Sequence, residues 1–135
     1  TIDSDGQHDP DCINLFLNVD ADVDMVCGRR TFDTFMPLHR RLSNSITSSI
    51  ISMLTSHKVY DSQCGYRRYR VDSFHDVGCV ENGFQYESEV LIKGLNERSL
   101  KHVDIPTIYR NEKSSISNIS DSIKFIKLIM RSFIK

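Results

Sequence analysis

TIDSDGQHDP, residues 1–10, sets Asp3 and Asp5 one residue apart, follows them with Gly6, and reaches Asp9-Pro10 four residues on. Side chains of an extended chain alternate sides, so Asp3 and Asp5 project to the same side and aim two hard oxygen ligands at one point. Thr1–Asp3 reads as the last residues of a strand, and Asp9-Pro10 as an N-cap with proline at the first helical position. A strand end, an acidic turn and a helix start make up half of an α/β unit. The rest of the chain then decides whether the alternation continues.

It does. Ile13, Leu15, Phe16 and Leu17 predict a helix over about 10–18, and MVCG after the acidic turn DADVD (20–24) predicts a short buried strand ending at Gly28. DADVD lacks the glycine and the distal glutamate of a calcium loop. From Leu38 to about Ser56, Leu42, Ile46, Ile50, Met53 and Leu54 fall at helical spacing. Ser and Thr crowd the same segment, which implies close packing or a partly polar groove. CGYRRYRV (64–71) predicts a strand, GFQYESEVLIKGLNER a helix, LKHVDIPTIYR an edge or irregular strand because of Pro106, and about 120–134 a final helix. The order (strand end)–helix–strand–helix–strand–helix–strand–helix predicts an α/β layered fold.

The bulk numbers agree with one domain. The chain has 135 residues, 39% hydrophobic and 26% charged, with a formal charge of -1 that argues against a general nucleic-acid binder. Acidic residues gather in the first 24 positions, whereas Lys124, Lys127, Arg131 and Lys135 face Asp121 alone at the end. Cys12, Cys27, Cys64 and Cys79 form no C-x-x-C pair, and their isolation suits free thiols in a reducing compartment. No stretch has the roughly 18 apolar residues of a membrane span.

Chemistry could sit in several places. Mg²⁺ and Mn²⁺ prefer oxygen ligands such as Asp3 and Asp5, with Gln7 or His8 to complete the set. Arg29-Arg30, Arg40-Arg41 and Arg67-Arg68 offer planar forks suited to phosphate oxygens. Asp61, Gln63 and Gly65 make a compact polar loop. Glu87 and Glu89, two apart on a helix, diverge by about 200°, so only one can join the apolar side. No G-x-S-x-G elbow supports a serine nucleophile, and the five histidines form no recognisable triad or metal pair.

Taken in order, DSDGQHDP, DMVCGRR, RRLSN, DSQCGYRRYR, GFQYESEVLIKG and VDIPTIYRNEKSSIS resemble family 2 glycosyltransferases, in the branch of dolichyl- or polyprenyl-phosphate sugar transferases. The resemblance spans about residues 1–119 and implies a GT-A fold. Asp3 and Asp5 match the family's D-x-D, which binds Mg²⁺ or Mn²⁺ and through it the diphosphate of a nucleotide-sugar donor; Gln7 matches a further metal position. Arg30 and Arg67 match residues that contact phosphate of donor or lipid acceptor. Asp61 and Gln63 match the loop lining the transfer region, and Glu87 and Glu89 the paired glutamates beyond it. Arg29 stands where the family has a small residue, Cys64 where many relatives have Ser or Thr, and Asp104-Ile105-Pro106 where E-V-P is usual. The family's D-x-D lies near the middle of its catalytic domain, so the resemblance implies that this chain is the C-terminal part of one, lacking the nucleotide-binding half.

The expected activity is metal-dependent sugar transfer to a lipid-phosphate or glycan acceptor, at the cytoplasmic membrane face. A hydroxyl acceptor would need a carboxylate base, Asp61 first and Glu87 second. The basic amphipathic segment 120–135 suits a membrane surface. A non-catalytic carbohydrate-binding remnant and a nucleotidyltransferase-like enzyme are the competing readings.

Overall fold

A computed structural model describes residues 1–31, 38–108 and 118–133. A 3-10 turn, Pro10–Cys12, leads into α1, Ile13–Leu17; then follow β1, Met25–Arg30, α2, Leu38–Thr55, β2, Arg67–Tyr69, α3, Val71–Phe74, α4, Phe84–Gly94, β3, Leu100–Ile105, and α5, Asn118–Phe133. Apart from α3 this is the predicted alternation. Asp9 caps the first turn as expected, its side chain accepting the N–H of Asp11.

The three strands order β2-β1-β3, with β2 antiparallel and β3 parallel to β1. Met25, Val26 and Cys27 are all fully buried because β1 is central and covered on both faces. Met25 and Cys27 point into a cluster with Ile51 of α2, Val59, and Val90, Leu91 and Leu95 around α4. Val26 points the other way, toward Phe16 of α1, Val23, Cys64, Tyr66 and Ile105. Phe125 of α5 packs against the first cluster. The architecture is thus a small mixed sheet with helices on both faces.

A fourth position lies on the free side of β2. The N of Thr1 donates to the carbonyl of Arg67 at 2.7 Å, and the N–H of Arg67 donates back to the carbonyl of Thr1 at 3.0 Å. Such a reciprocal exchange marks a hydrogen-bonded antiparallel pair. Thr1 therefore sits where the end of a strand would sit.

Two local expectations change. β1 runs two residues past Gly28, because Gly28, Arg29 and Arg30 pair with Val103, Asp104 and Ile105. The glycine is there for space: a Cβ would come within 2.8 Å of Ile105 Cδ1. The strand expected over 64–71 shrinks to three residues: the N–H of Arg70 makes a last ladder bond to the carbonyl of Asp24, and α3 begins at once at Val71. Asp24 fixes that turn, accepting from Ser73 and Ser99 and pairing with Arg70. These partners, Ser73 first, hold its carboxyl down to about 2.

In α2 most of the apolar stripe faces outward and a hydroxyl-rich face inward, an inversion of the usual helix amphipathicity. Leu42, Ile46 and Met53 are 62%, 52% and 75% exposed, while Asn44, Thr47, Ser48 and Ile51 are buried. The hydroxyls explain the inversion. Ser48 and Ser52 reach the loop before β2, bonding Ser62 and Val59, and small side chains let helix and loop approach closely. Thr47, Ser49 and Thr55 return their hydroxyls to carbonyls four residues back. Both sequence readings hold, for a groove of about 440 Å³ also runs beside Ser45, Ser49, Lys58 and Tyr60.

Candidate functional site

The opening stretch and the loop before β2 form one unit. Beyond the Thr1–Arg67 pair, Thr1 Oγ1 donates to the Gly65 carbonyl at 3.0 Å. Tyr66, 5% exposed, stacks on Phe16 and donates its hydroxyl to the carbonyl of Pro10. The N–H of Ile108 donates to the carbonyl of Gln7, which ties the turn to the segment after β3. Arg68 secures the far side with bonds to the carbonyls of Phe16, Val19, Asp20 and Val23.

This wrapping seats Asp3 directly on Gly65. A Cβ at Gly65 would stand 2.2 Å from Asp3 Oδ1, so only glycine leaves room for the carboxylate. The imidazole of His8, then the N–H of Gly65 and the charge of Arg30, hold the Asp3 carboxyl below the usual carboxylate range against the cost of partial burial. Asp5 follows in an exposed turn, where its Oδ1 accepts the N–H of Gln7 at 2.9 Å. Gly6 has φ +75°, a conformation glycine adopts without strain.

Arg30, at the end of β1, is the second anchor. Its Nε and Nη2 grip the two oxygens of Asp61 at 2.7 and 2.9 Å, and Asn44 Nδ2 adds a bond at 3.0 Å from α2. The Asp61 side chain is fully buried and that of Arg30 11% exposed. A fork of this kind, in low dielectric, holds both partners rigidly. Its oxygens are occupied, so Asp61 here acts as the orienting partner of Arg30; as a proton acceptor it would first have to release a bond.

The other expected residues divide. Gln63 is exposed in the turn beside Asp61. Glu87 is half-buried in the first turn of α4, with its carbonyl accepting from Arg67. Arg67, expected to reach phosphate, is 2% exposed and turns its guanidinium inward, onto the carbonyls of Ser62, Cys64 and Glu87. Glu89, 1% exposed, is the glutamate that joins the apolar side. It accepts from the N–H groups of Val80 and Glu81 and pairs with Lys93. Tyr109 of the last motif lies outside the described residues. Asn44 stood in the RRLSN motif without an assigned role, and the packing role of His8 escaped the sequence reading. An asparagine amid helix serines carries no signal of its own, and His8 showed only as a possible ligand.

A polar cluster flanks the site. Arg29 pairs with Asp104 and lies over the ring of Tyr60, which meets His102 edge-on at 5.0 Å. Burial first, then the Arg29 charge, lowers His102 to about 4. The thiols of Cys27 and Cys64 are pushed up by burial to about 11 and about 12, which makes them inert packing groups at neutral pH.

Among known proteins, the chain is similar to the low-salt glycan biosynthesis hexosyltransferase Agl6 of Haloferax volcanii, 21% identical over 136 residues that make up 95% of this chain and 33% of that protein. It is also similar to an uncharacterized protein of Methanocaldococcus jannaschii, 29% identical over 142 residues, 97% of this chain and 58% of that protein. The chain thus spans about a third of one relative and somewhat over half of the other. No family model matches the sequence, and no solved structure does.

Proposed function

We propose that this chain belongs to a glycosyltransferase catalytic domain of the GT-A, family 2 kind, residues 1–119 belonging to its C-terminal part and the segment 120–135 carrying the basic amphipathic helix α5. The observation that carries the reading is the seating of Asp3 on Gly65 beside the Arg30–Asp61 fork. It unites the D-x-D turn, the G-R-R strand end and the Q-C-G loop, three segments far apart in sequence, at one end of the sheet. The similarity to a hexosyltransferase supports the same class.

The donor is a nucleotide-sugar. Asp3 and Asp5, with Gln7 nearby, fit Mg²⁺ or Mn²⁺, with water and substrate filling its remaining positions. Among the described residues no group of three His, Cys, Asp or Glu side chains converges as an all-protein cage would require. Such an ion supplies charge neutralisation for the departing diphosphate. Arg30, pre-oriented by Asp61 and Asn44, acts on Asp3 through its charge, and Gln63 and Glu87 are the further substrate and base candidates of the reading. In the transfer, the acceptor oxygen bonds the anomeric carbon. The bond from that carbon to the diphosphate oxygen breaks, its electron pair leaving with the nucleoside diphosphate, and the configuration inverts.

The acceptor is a lipid phosphate. Asp61 is engaged on both oxygens, and a phosphate is already ionised at neutral pH, so it needs no base. Glu87 is the remaining base for a glycan hydroxyl. The outward faces of two helices favour a lipid-linked acceptor at the cytoplasmic membrane surface: α2 shows Leu38, Leu42, Ile46 and Met53, and α5 shows Ile123, Ile126 and Met130 with Lys124 and Lys127 between them. No helix among the described residues is long and apolar enough to cross a membrane. The test is turnover of nucleotide-sugars by the full-length protein with polyprenyl phosphate or a glycan as acceptor. A glycosyl phosphate product supports the reading, and a nucleotidyl product overturns it.

A further inference from the structure

We infer that His8 is the positioning residue of Asp3: a buried imidazole behind the D-x-D turn that fixes the direction in which the Asp3 carboxylate faces. The inference rests on the reading of Asp3 as a metal ligand. His8 is 5% exposed, whereas the Asp3 side chain is 42% exposed. The imidazole lies on the interior side, with Nε2 3.4 Å from Asp3 Oδ2. Its ring packs against Tyr66 at 5.7 Å, tilted by 56°, and Tyr66 is itself clamped between Phe16 and the Pro10 carbonyl. The Nδ1 atom is buried and finds no hydrogen-bond partner among the described residues, so Asp3 is the one polar group to which this imidazole turns there.

A buried histidine with one polar contact, supported by a fixed aromatic ring, is a rigid stop. Gly65 bounds the carboxylate on one side, where a Cβ would collide with both oxygens, and His8 bounds it on the other. Between them Asp3 loses the rotamer freedom that an exposed aspartate keeps. A carboxylate held ready for a cation binds it without first being ordered, and outer partners of metal ligands commonly govern affinity in this way. The role also explains why a histidine next to two carboxylates is buried instead of joining them as a third ligand.

The test uses the full-length protein and Mn²⁺ alone, with free Mn²⁺ read by electron paramagnetic resonance. His8→Gln carries an amide nitrogen to the reach of Nε2, whereas the shorter His8→Asn does not. His8→Gln is expected to bind within about threefold of the parent and His8→Asn about 10–100-fold more weakly. Equal loss in both variants, or none in His8→Asn, overturns the inference. Asp3→Asn separates the two readings. If it leaves Mn²⁺ binding intact, or the parent binds no Mn²⁺, the metal reading of Asp3 falls and this inference with it. If Asp3→Asn abolishes binding while His8→Asn does not weaken it, the positioning role alone falls. Should His8→Asn fail to fold, nitrogen NMR of the unmodified protein decides: the Nε2–H tautomer is expected, and the Nδ1–H tautomer contradicts it.

Discussion

Asp61 takes two bonds from the Arg30 guanidinium and one from Asn44, with its side chain wholly out of solvent. Removing one charge of such a pair strands the other, so Asp61→Asn is expected to cost about 3–5 kcal/mol in urea unfolding. A loss well under that would mean the fork opens readily, and Asp61 would return as a candidate base. His102 allows a test by pH. Its folded pKa of about 4 lies below the ordinary value of 6.5, so the unfolded chain binds the extra proton first. The stability owed to neutral His102 is complete above about pH 6.5 and drains as the pH falls toward 4. His102→Phe is expected to flatten that part of the stability–pH curve; an unchanged slope would place the titration elsewhere. Of these residues, Asp61 and Arg30 were legible as members of conspicuous motifs. Their mutual fork was not, because nothing local links positions 31 residues apart. The surroundings of Arg67 and Glu89 were not legible either: burial turns each toward main-chain groups, and nothing in a motif displays burial.

At the scale of elements, helical spacing located α2 and α5 within about two residues and the start of α4 within one, although α4 stops at Gly94, four residues before the end of the stretch read as helix. Which face α2 buries was not legible. The hydroxyl face packs because Ser48 and Ser52 find partners in the loop before β2, which the spacing alone does not show. β1 overran Gly28 for a similar reason, its partner strand lying some 75 residues downstream. The helix α5 carries a prediction of its own. Leu128 is 3% exposed and faces inward, while Ile123, Ile126 and Met130 face out beside Lys124 and Lys127. Full-length protein is expected to float with vesicles containing anionic lipid, and Lys124→Gln with Lys127→Gln to weaken that binding by about 1 kcal/mol per charge, roughly fivefold each. Flotation insensitive to both changes would remove the membrane role from this helix.

For the whole molecule, alternation of elements made the α/β class readable, and the mixed three-stranded sheet with helices on both faces agrees with it. The reciprocal bonds between Thr1 and Arg67 add what alternation could not: they fix where the opening stretch lies, beside β2, and hence why Asp3 lands on Gly65. The central claim is that this landing creates the metal-binding centre of a sugar transferase. The direct measurement is the rate of sugar release from nucleotide-sugar donor by full-length protein, with Mg²⁺ or Mn²⁺, for the parent and for Asp3→Ala. The account predicts turnover that a chelator abolishes and that Asp3→Ala lowers about 100-fold or more, as loss of transition-state charge stabilisation does. Turnover equally fast in Asp3→Ala would contradict it.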